Sequence, residues 1–165
     1  MAGDLMAKLK WEGIKEYELM LSKLEAKTEE IAGKAIYEGA KVMADAMKEA
    51  TQGLPVDDRY VKNGEMLHGI SQEQKDGLVE SFGISPMENK NGYWNVKLGF
   101  DGYNSVTSKR YPDGQPNSLI ARSVNAGTSF RQRIPFIDST VRAYKSKTEE
   151  AIKKKLDEEL EKIAK

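Results

Sequence analysis

The sequence lacks cysteine entirely and contains a single histidine, His68. Without cysteine the chain forms no disulfide and no thiolate metal site, and nothing favours an oxidising compartment. One histidine cannot build a multi-histidine metal site or, without other partners, a conventional catalytic triad. We therefore interpret His68 as a solvated loop residue.

Long hydrophobic runs are also missing, since no apolar stretch approaches the roughly 18 residues that suggest a membrane span. The first residues show no basic segment followed by a hydrophobic one, so we expect neither a signal peptide nor a membrane partner. The formal net charge is +0, with 26 basic and 26 acidic side chains. This balance argues against general nucleic-acid binding, which normally shows a basic excess.

Strong core formers are scarce, because Leu, Ile, Val and Phe together make up about a fifth of the 165 residues. Such a level is low enough to raise the question of disorder. The absence of net charge, however, removes the self-repulsion that favours disorder. We expect one core-poor domain over residues 1–165, frayed over residues 1–12 and stabilised in part by neighbouring subunits.

Two helical patterns open the chain. The first covers residues 13–24, and the second runs from Thr28, a candidate N-cap, to about Ala50. The expected inner face of the second helix consists of Ile31, Ala35, Gly39, Val42, Met43, Ala46 and Met47. Glycine inside a helix costs up to about 1 kcal/mol relative to alanine. We therefore interpret Gly33 and Gly39 as positions of close packing.

Alternating apolar residues in the middle of the chain predict a small sheet. The predicted strands are residues 78–84, 93–100 and 118–126. The predicted long loops are residues 56–76, with one short helical turn around Ser71–Lys75, and residues 103–117. Asn91-Gly92 is a strong hairpin signal between the first two strands. The expected fold class is α+β: two N-terminal helices, an antiparallel sheet of three or four strands with long loops, and a long C-terminal helix.

A proline sets the start of the closing helix. Pro135 favours extended backbone before it, so we expect the helix to begin no earlier than Pro135, with Asp138 or Ser139 as its cap. An apolar stripe follows at three- and four-residue steps: Val141, Tyr144, Thr148, Ile152, Leu156, Leu160 and Ile163. A helix this polar is stable only if its apolar stripe packs against another surface. Either the same chain or a sister subunit supplies that surface.

The residues before Pro135 form an arginine-rich arch with the composition of a subunit interface. Phe130 lies beside Arg131 and Arg133, and aromatic residues and arginine are enriched at interfaces. We expect these three side chains to be exposed and to contact another subunit. Phe136, in contrast, is expected to enter the core.

Two residues are expected to shape the turn into this arch. Gly127 tolerates a positive φ at no steric cost. Thr128 is placed to cap the turn through its hydroxyl group. Together with Pro135 and Phe136, they are interpreted as structural positions.

The other polar clusters are better explained as solvated surface residues than as catalytic or ligand-binding sites. Asp57-Asp58 lies in a polar loop, and Glu149-Glu150 lies on the outer face of a helix. The basic run at residues 153–155 has acidic neighbours on both sides and is a weak nucleic-acid signal. The sequence contains no glycine-rich phosphate loop and no Gly-x-Ser-x-Gly elbow. We expect no catalytic, cofactor-binding or metal-binding residues.

Several short motifs follow one another in an order that resembles a known family. Gly13-Ile14 opens the first helix, and an alanine- and glycine-rich second helix leads to Pro-Val-Asp at residues 55–57. An Asp-Gly-Leu-Val-Glu-Ser segment at 76–81 and a Val-Lys-Leu-Gly-Phe strand at 96–100 come next. A Gly-Thr turn then leads to Pro-Phe-Ile at residues 135–137. This order resembles the small tail-component family of long-tailed bacteriophages, which comprises tail-completion or neck proteins.

The resemblance implies a structural virion protein, made in the bacterial host cytoplasm, with no catalysis and no cofactor. It implies a homo-oligomeric ring, expected to be a hexamer, that joins the head-proximal end of the tail to the head connector. Its neighbours would be tail-tube or terminator proteins and head-connector proteins, with room for passive contact with DNA in the lumen.

Two alternatives remain open at this point. The chain could take another position in the neck, as a tail terminator, a head-closure subunit or a head–tail adaptor. A different class is a nucleic-acid-contacting or enzymatic phage accessory protein. The features that favour that class are Arg131, Arg133 and the lysines at residues 153–155.

Overall fold

The structure, a computed structural model, describes residues 7–8 and 27–164. The helices in this part are α1 (Thr28–Gln52), α2 (Gln72–Ser81), α3 (Asn117–Ala126) and α4 (Phe136–Ala164). The strands are β1 (Ala7–Lys8), β2 (Phe82–Ile84), β3 (Glu88–Lys90), β4 (Tyr93–Asn95) and β5 (Lys97–Phe100). The α+β class and the long C-terminal helix are confirmed, whereas the helix predicted over residues 13–24 lies outside the described residues.

The strands form two small antiparallel sheets. In the first, β5 lies between β1 and β2. The second is a β3–β4 hairpin with Asn91 and Gly92 in its turn, both at positive φ (54° and 85°). Two positive φ angles are typical of the tight hairpin turn that the Asn-Gly pair favours. The Asn91-Gly92 turn is therefore confirmed, but it joins β3, which was not predicted as a strand, to β4. The strand predicted over residues 93–100 is divided between the two sheets as β4 and β5.

Two segments predicted as strands are helical. Residues 118–126 belong to α3, whose buried Ile120, Ala121 and Val124 follow helical spacing. Residues 78–81 form the last turn of α2, and the strand begins only at Phe82. In both segments the apolar residues satisfy the spacing of a helix as well as that of a strand, because the segments are short.

The apolar stripe of α4 packs against α1 of the same chain. Thr148, Ile152 and Leu156 are buried in this contact, and the inner face predicted for α1 is buried except for Val42, which is half-buried. Gly39 marks the closest approach. A Cβ atom there would overlap Ile152 Cγ1 and lie 3.1 Å from the carbonyl oxygen of Thr148. The central part of the stripe is therefore covered within the chain, whereas Val141, Tyr144, Leu160 and Ile163 are half-buried.

Gly33 differs from Gly39, and the prediction of close packing there is wrong. A Cβ atom at Gly33 would meet only ordinary contact, with Met87 Cε at 3.9 Å. The N-cap prediction for α1 is also wrong. The capping position is Lys27, which makes no side-chain cap hydrogen bond.

Aromatic rings join the first sheet to the start of α4. The ring centroids of Phe82 and Phe100 are 5.1 Å apart, and those of Phe100 and Phe136 are 6.1 Å apart, both pairs tilted. Phe136 is buried, so its predicted place in the core is confirmed. Tilted aromatic pairs add to the free energy gained by burying the rings.

The cap of α4 comes from another helix rather than from Asp138 or Ser139. Asn125 Oδ1 on α3 accepts hydrogen bonds from the backbone amides of Ile137 (3.1 Å) and Asp138 (3.2 Å). Its Nδ2 donates to the Asp138 carboxylate at 3.1 Å. One amide side chain thereby satisfies two amides that a helix start leaves unpaired.

Candidate interaction surface

Two irregular segments pair with each other and form one lobe. We call residues 56–71 the loop, residues 127–135 the arch, and both together the loop–arch lobe. The Leu67 amide donates to the carbonyl of Phe130, and the Gln132 amide donates to the carbonyl of Leu67, both at 2.8 Å. These bonds form a parallel bridge between Leu67 and Arg131.

The loop is also closed on itself at its base. Val56 and Ile70 form a parallel bridge, in which the Asp57 amide donates to the Ile70 carbonyl at 2.8 Å. The Ile70 amide donates to the carbonyl of Pro55 at 3.1 Å. A Cβ atom at Gly69 would collide with that same carbonyl, so the close approach requires glycine. The predicted loop of residues 56–76 ends earlier, because Ser71 caps α2 in a capping box with Gln74.

Asp57 organises the interior of the loop. Its carboxylate accepts from Arg59 Nε and Nη2 and from the backbone amide of His68, each at 2.8 Å. The hydrogen bonds from Arg59, and then that from His68, hold the pKa of Asp57 well below its usual range. The exposed His68 ring pairs with the Gln132 side chain of the arch.

The turn into the arch has the geometry that the sequence predicts. Gly127 has φ 77° and ψ 164°, a region that is essentially restricted to glycine. The hydroxyl of Thr128 accepts from the Phe130 amide at 3.3 Å, and the Thr128 amide donates to the Arg131 carbonyl at 2.9 Å. Pro135 immediately precedes α4, and its carbonyl accepts from the Ser139 amide at 2.9 Å.

The predicted exposure of the arch side chains holds for two of three residues. Phe130 is 48% exposed, and Arg133 is exposed beside Asp138 with 3.7 Å between Nη2 and Oδ2. Arg131 is only 5% exposed, so the prediction of an exposed side chain is wrong. Its Nη1 donates to the Gly69 carbonyl instead, which joins the arch to the base of the loop.

The lobe carries exposed apolar side chains that sequence reasoning missed. Tyr60 is 93% exposed, Val56 42% and Met66 37%, and all three lie in the loop that pairs with the Phe130 segment. Scattered single apolar residues on a surface are ordinary, but several on two joined segments are typical of an interaction site. The available signal was the presence of Tyr60 and Met66 in an otherwise polar loop.

Two open clefts lie elsewhere on the molecule. A groove of about 680 Å³ between α1, the β3–β4 hairpin and the end of α4 has Tyr37, Met87 and Trp94 in its wall and charges of both signs at its rim. A cleft of about 530 Å³ is lined mainly by polar and acidic residues around Asn104 and Asn117. Both amides are engaged: Asn104 Nδ2 donates to Asn117 Oδ1 at 3.1 Å, and Asn117 Nδ2 donates to the Asp101 carbonyl at 3.0 Å.

The charges at the rim of the groove pair with one another. Glu159 is almost buried and meets Lys162 at 2.9 Å, Lys155 at 3.4 Å and Lys34 at 3.6 Å. The hydrogen bond from Lys162 is the main reason why the pKa of Glu159 is lowered. Within residues 7–8 and 27–164, no cluster of three metal-ligating side chains is placed to hold an ion. Among the helices that the structure describes, none is long and apolar enough to cross a membrane.

No family model, curated protein or solved structure matches this chain. The loop–arch lobe is therefore interpreted from its own geometry: a rigid support, exposed apolar side chains and arginines at its margin.

Proposed function

We propose that this chain is a structural virion protein of a tailed phage or prophage, a tail-completion or neck subunit. In this role it assembles into a homo-oligomeric ring, with six subunits as the expected number, between the tail and the head connector. The order of motifs along the sequence supports this assignment. The loop–arch lobe supports it physically, because a ring subunit needs a surface for its neighbours.

The observation that carries the proposal is the set of exposed apolar side chains on the loop–arch lobe. Tyr60 and Phe130 are aromatic, and large aromatic residues often dominate the binding energy of an interface. The Phe130 carbonyl accepts from the Leu67 amide, and hydrogen bonds among Pro55, Asp57 and Ile70 close the base of the loop that carries Tyr60. A prearranged surface loses little conformational entropy on binding, which favours assembly.

A complementation experiment tests this function. Tyr60→Ser with Phe130→Ser should leave the subunit folded, since both side chains are exposed, but should remove it from purified particles. Tyr93→Ser is the matched control, because Tyr93 is an aromatic residue of similar exposure (49%) on the β3–β4 hairpin. The measurements are circular dichroism of the subunit and its amount per particle. A wild-type chain that is absent from particles refutes the proposal, and so does full incorporation of the double variant.

A further inference from the structure

The balanced net charge of the chain conceals an uneven distribution along it. Residues 117–147 contain one acidic side chain, Asp138. The same residues contain six basic side chains: Arg122, Arg131, Arg133, Arg142, Lys145 and Lys147. Arg131 is buried, whereas the other five are exposed. This stretch therefore places excess positive charge on the surface of a neutral protein.

Four of the exposed cations are grouped around Asp138. Arg133 Nη2 is 3.7 Å from Asp138 Oδ2, and Asn125 Nδ2 is 3.1 Å from the same atom. Arg142 follows Asp138 by four positions on α4, and Arg122 precedes Asn125 by three positions on α3. Residues at these spacings are neighbours on a helix surface. The basic cluster, as we call it, consists of Arg122, Arg133, Arg142 and Lys145.

The basic cluster has too few carboxylates to neutralise it. In residues 7–8 and 27–164, Asp138 is the only carboxylate within 4.0 Å of any of these four cations. The lysines at the rim of the 680 Å³ groove differ, because they surround Glu159. Exposed charge of one sign attracts a surface of the opposite sign and steers it into register.

The cleft of about 530 Å³ has the opposite charge. No lysine or arginine lines it, and its exposed carboxylates are those of Glu73, Asp76, Glu80 and Asp101. Among the described residues, none of these carboxylates lies within 4.0 Å of a lysine or arginine nitrogen. Tyr103, also in the lining, is 73% exposed. We call this site the acidic cleft.

Helix α3 holds the two surfaces apart. Asn117 at its start lines the acidic cleft, and Asn125 near its end binds Asp138 inside the basic cluster. Eight residues of α-helix span about 12 Å. One subunit therefore carries two separate surfaces of opposite charge, which is the arrangement that a head-to-tail contact between identical subunits requires.

We propose that the basic cluster of one copy binds the acidic cleft of the next copy. This inference rests on the proposed function, because a ring of identical subunits is closed by head-to-tail contacts. Arg133 belongs to the arch, so this contact continues the apolar surface around Phe130, and Tyr103 gives the opposite surface an exposed aromatic residue. The arginine fork also matches the geometry of a carboxylate.

The test reverses the charge of each surface in the full chain. The cluster variant carries Arg142→Glu with Lys145→Glu, and the cleft variant carries Asp76→Lys with Glu80→Lys. Each variant alone should self-associate at least about tenfold more weakly than the wild type, because like charges then face each other. An equimolar mixture of the two should regain association, since every contact between unlike variants joins opposite charges. Sedimentation equilibrium measures association in solution, and copies per particle measure it in particles.

A matched control separates this contact from net charge. Lys153→Glu with Lys154→Glu changes the charge by the same amount on exposed residues of the same helix, and it should associate like the wild type. Circular dichroism checks that each variant is folded. Arg142→Gln with Lys145→Gln replaces the cluster variant if that variant is unfolded, and it should also weaken association.

Four results overturn the inference. The first is a folded cluster or cleft variant that associates like the wild type, and the second is a mixture that regains nothing. The third is a wild-type chain that forms no contact between copies, either in concentrated solution or in particles. The fourth is duplex DNA that binds the wild type and not the cluster variant, while self-association is the same in both.

The proposed function and this inference fail separately. Particles that incorporate both charge-reversed variants as well as the wild type leave the proposed function standing and refute the contact. Association that the mixture restores, in a chain never found in particles, does the reverse.

Discussion

At the scale of single residues, Asn125 connects the arch to the helix behind it. Its side-chain oxygen caps α4 through the amides of Ile137 and Asp138. Its backbone carbonyl accepts from Arg133 Nε at 3.3 Å. The position of the arch therefore depends on a residue of α3, and a substitution at Asn125 should affect both the arch and the start of α4.

Asn125→Ala should lower the free energy of unfolding by about 1 kcal/mol, the typical effect of losing a helix cap. The reason is that two amides at the start of α4 lose their acceptor. Urea unfolding measures this difference through its midpoint. Arg122→Ala, an exposed side chain on the same helix, should leave the midpoint unchanged. Equal midpoints for the two variants would show that the cap contributes nothing.

Residue-level prediction from sequence succeeds where the constraint is local. The positive φ of Gly127 and the burial of Phe136 follow from the residues themselves and their immediate neighbours. Arg131 could not be predicted to be buried, because arginine is mostly exposed in proteins and its acceptor, Gly69, lies 62 positions away. The cap from Asn125 was missed for the same reason, since helix-start rules look only at adjacent residues.

At the scale of elements, α1 and α4 form the longest contact in the described part of the molecule. Because Gly39 has no side chain beyond a hydrogen atom, Ile152 can approach the backbone of α1. Close approach of two helices is fixed by the smallest side chain at their crossing. The two glycines of α1 therefore provide an experiment with its own control.

Gly39→Ala should destabilise the protein by about 1–3 kcal/mol through overpacking, despite the better helix propensity of alanine. Gly33→Ala should instead stabilise it by about 0.5–1 kcal/mol, because its Cβ meets only Met87 Cε at 3.9 Å. Thermal and urea unfolding of both variants give the two values. Changes of the same sign at the two positions would contradict the packing described for Gly39.

The loop should respond to pH through Asp57. Its pKa in the folded protein is lowered by Arg59 and the His68 amide, below an unfolded value of about 3.9. The ionised carboxylate therefore stabilises the folded loop above about pH 4, and this contribution is lost as pH falls through the folded value. Asp57→Asn should lower the melting temperature most above about pH 4, and the difference from the wild type should shrink in more acidic solution.

Asp113→Asn is the control for this pH dependence, since Asp113 is an exposed aspartate of the other long irregular segment. It should track the wild type at every pH. A difference between wild type and Asp57→Asn that stays constant from neutral to strongly acidic solution would show that the carboxylate charge has no part in stabilising the loop.

Element-level prediction depends on the length of each pattern. The long periodic stripes of α1 and α4 and the Asn91-Gly92 turn were recognised, because each is a strong local signal. The helices α2 and α3 have ten residues each, and their apolar positions also suit a strand. The Ser71–Gln74 capping box was the unused signal for α2.

At the scale of the whole molecule, the exposed apolar side chains are the basis for placing the proposed interface. The sequence left open whether the same chain or a sister subunit covers the stripe of α4, and α1 of the same chain covers its central residues. What remains exposed on the loop–arch lobe are Val56, Tyr60, Met66 and Phe130. The proposed interface therefore lies on this lobe rather than along the terminal helix.

The most direct test of this account is photo-crosslinking in assembled particles, with a benzoylphenylalanine in place of Phe130. The account predicts a covalent dimer of this chain from position 130 and none from the same probe at Tyr93. Crosslinks from position 130 that reach no second copy, or equal dimer formation from both positions, would contradict it.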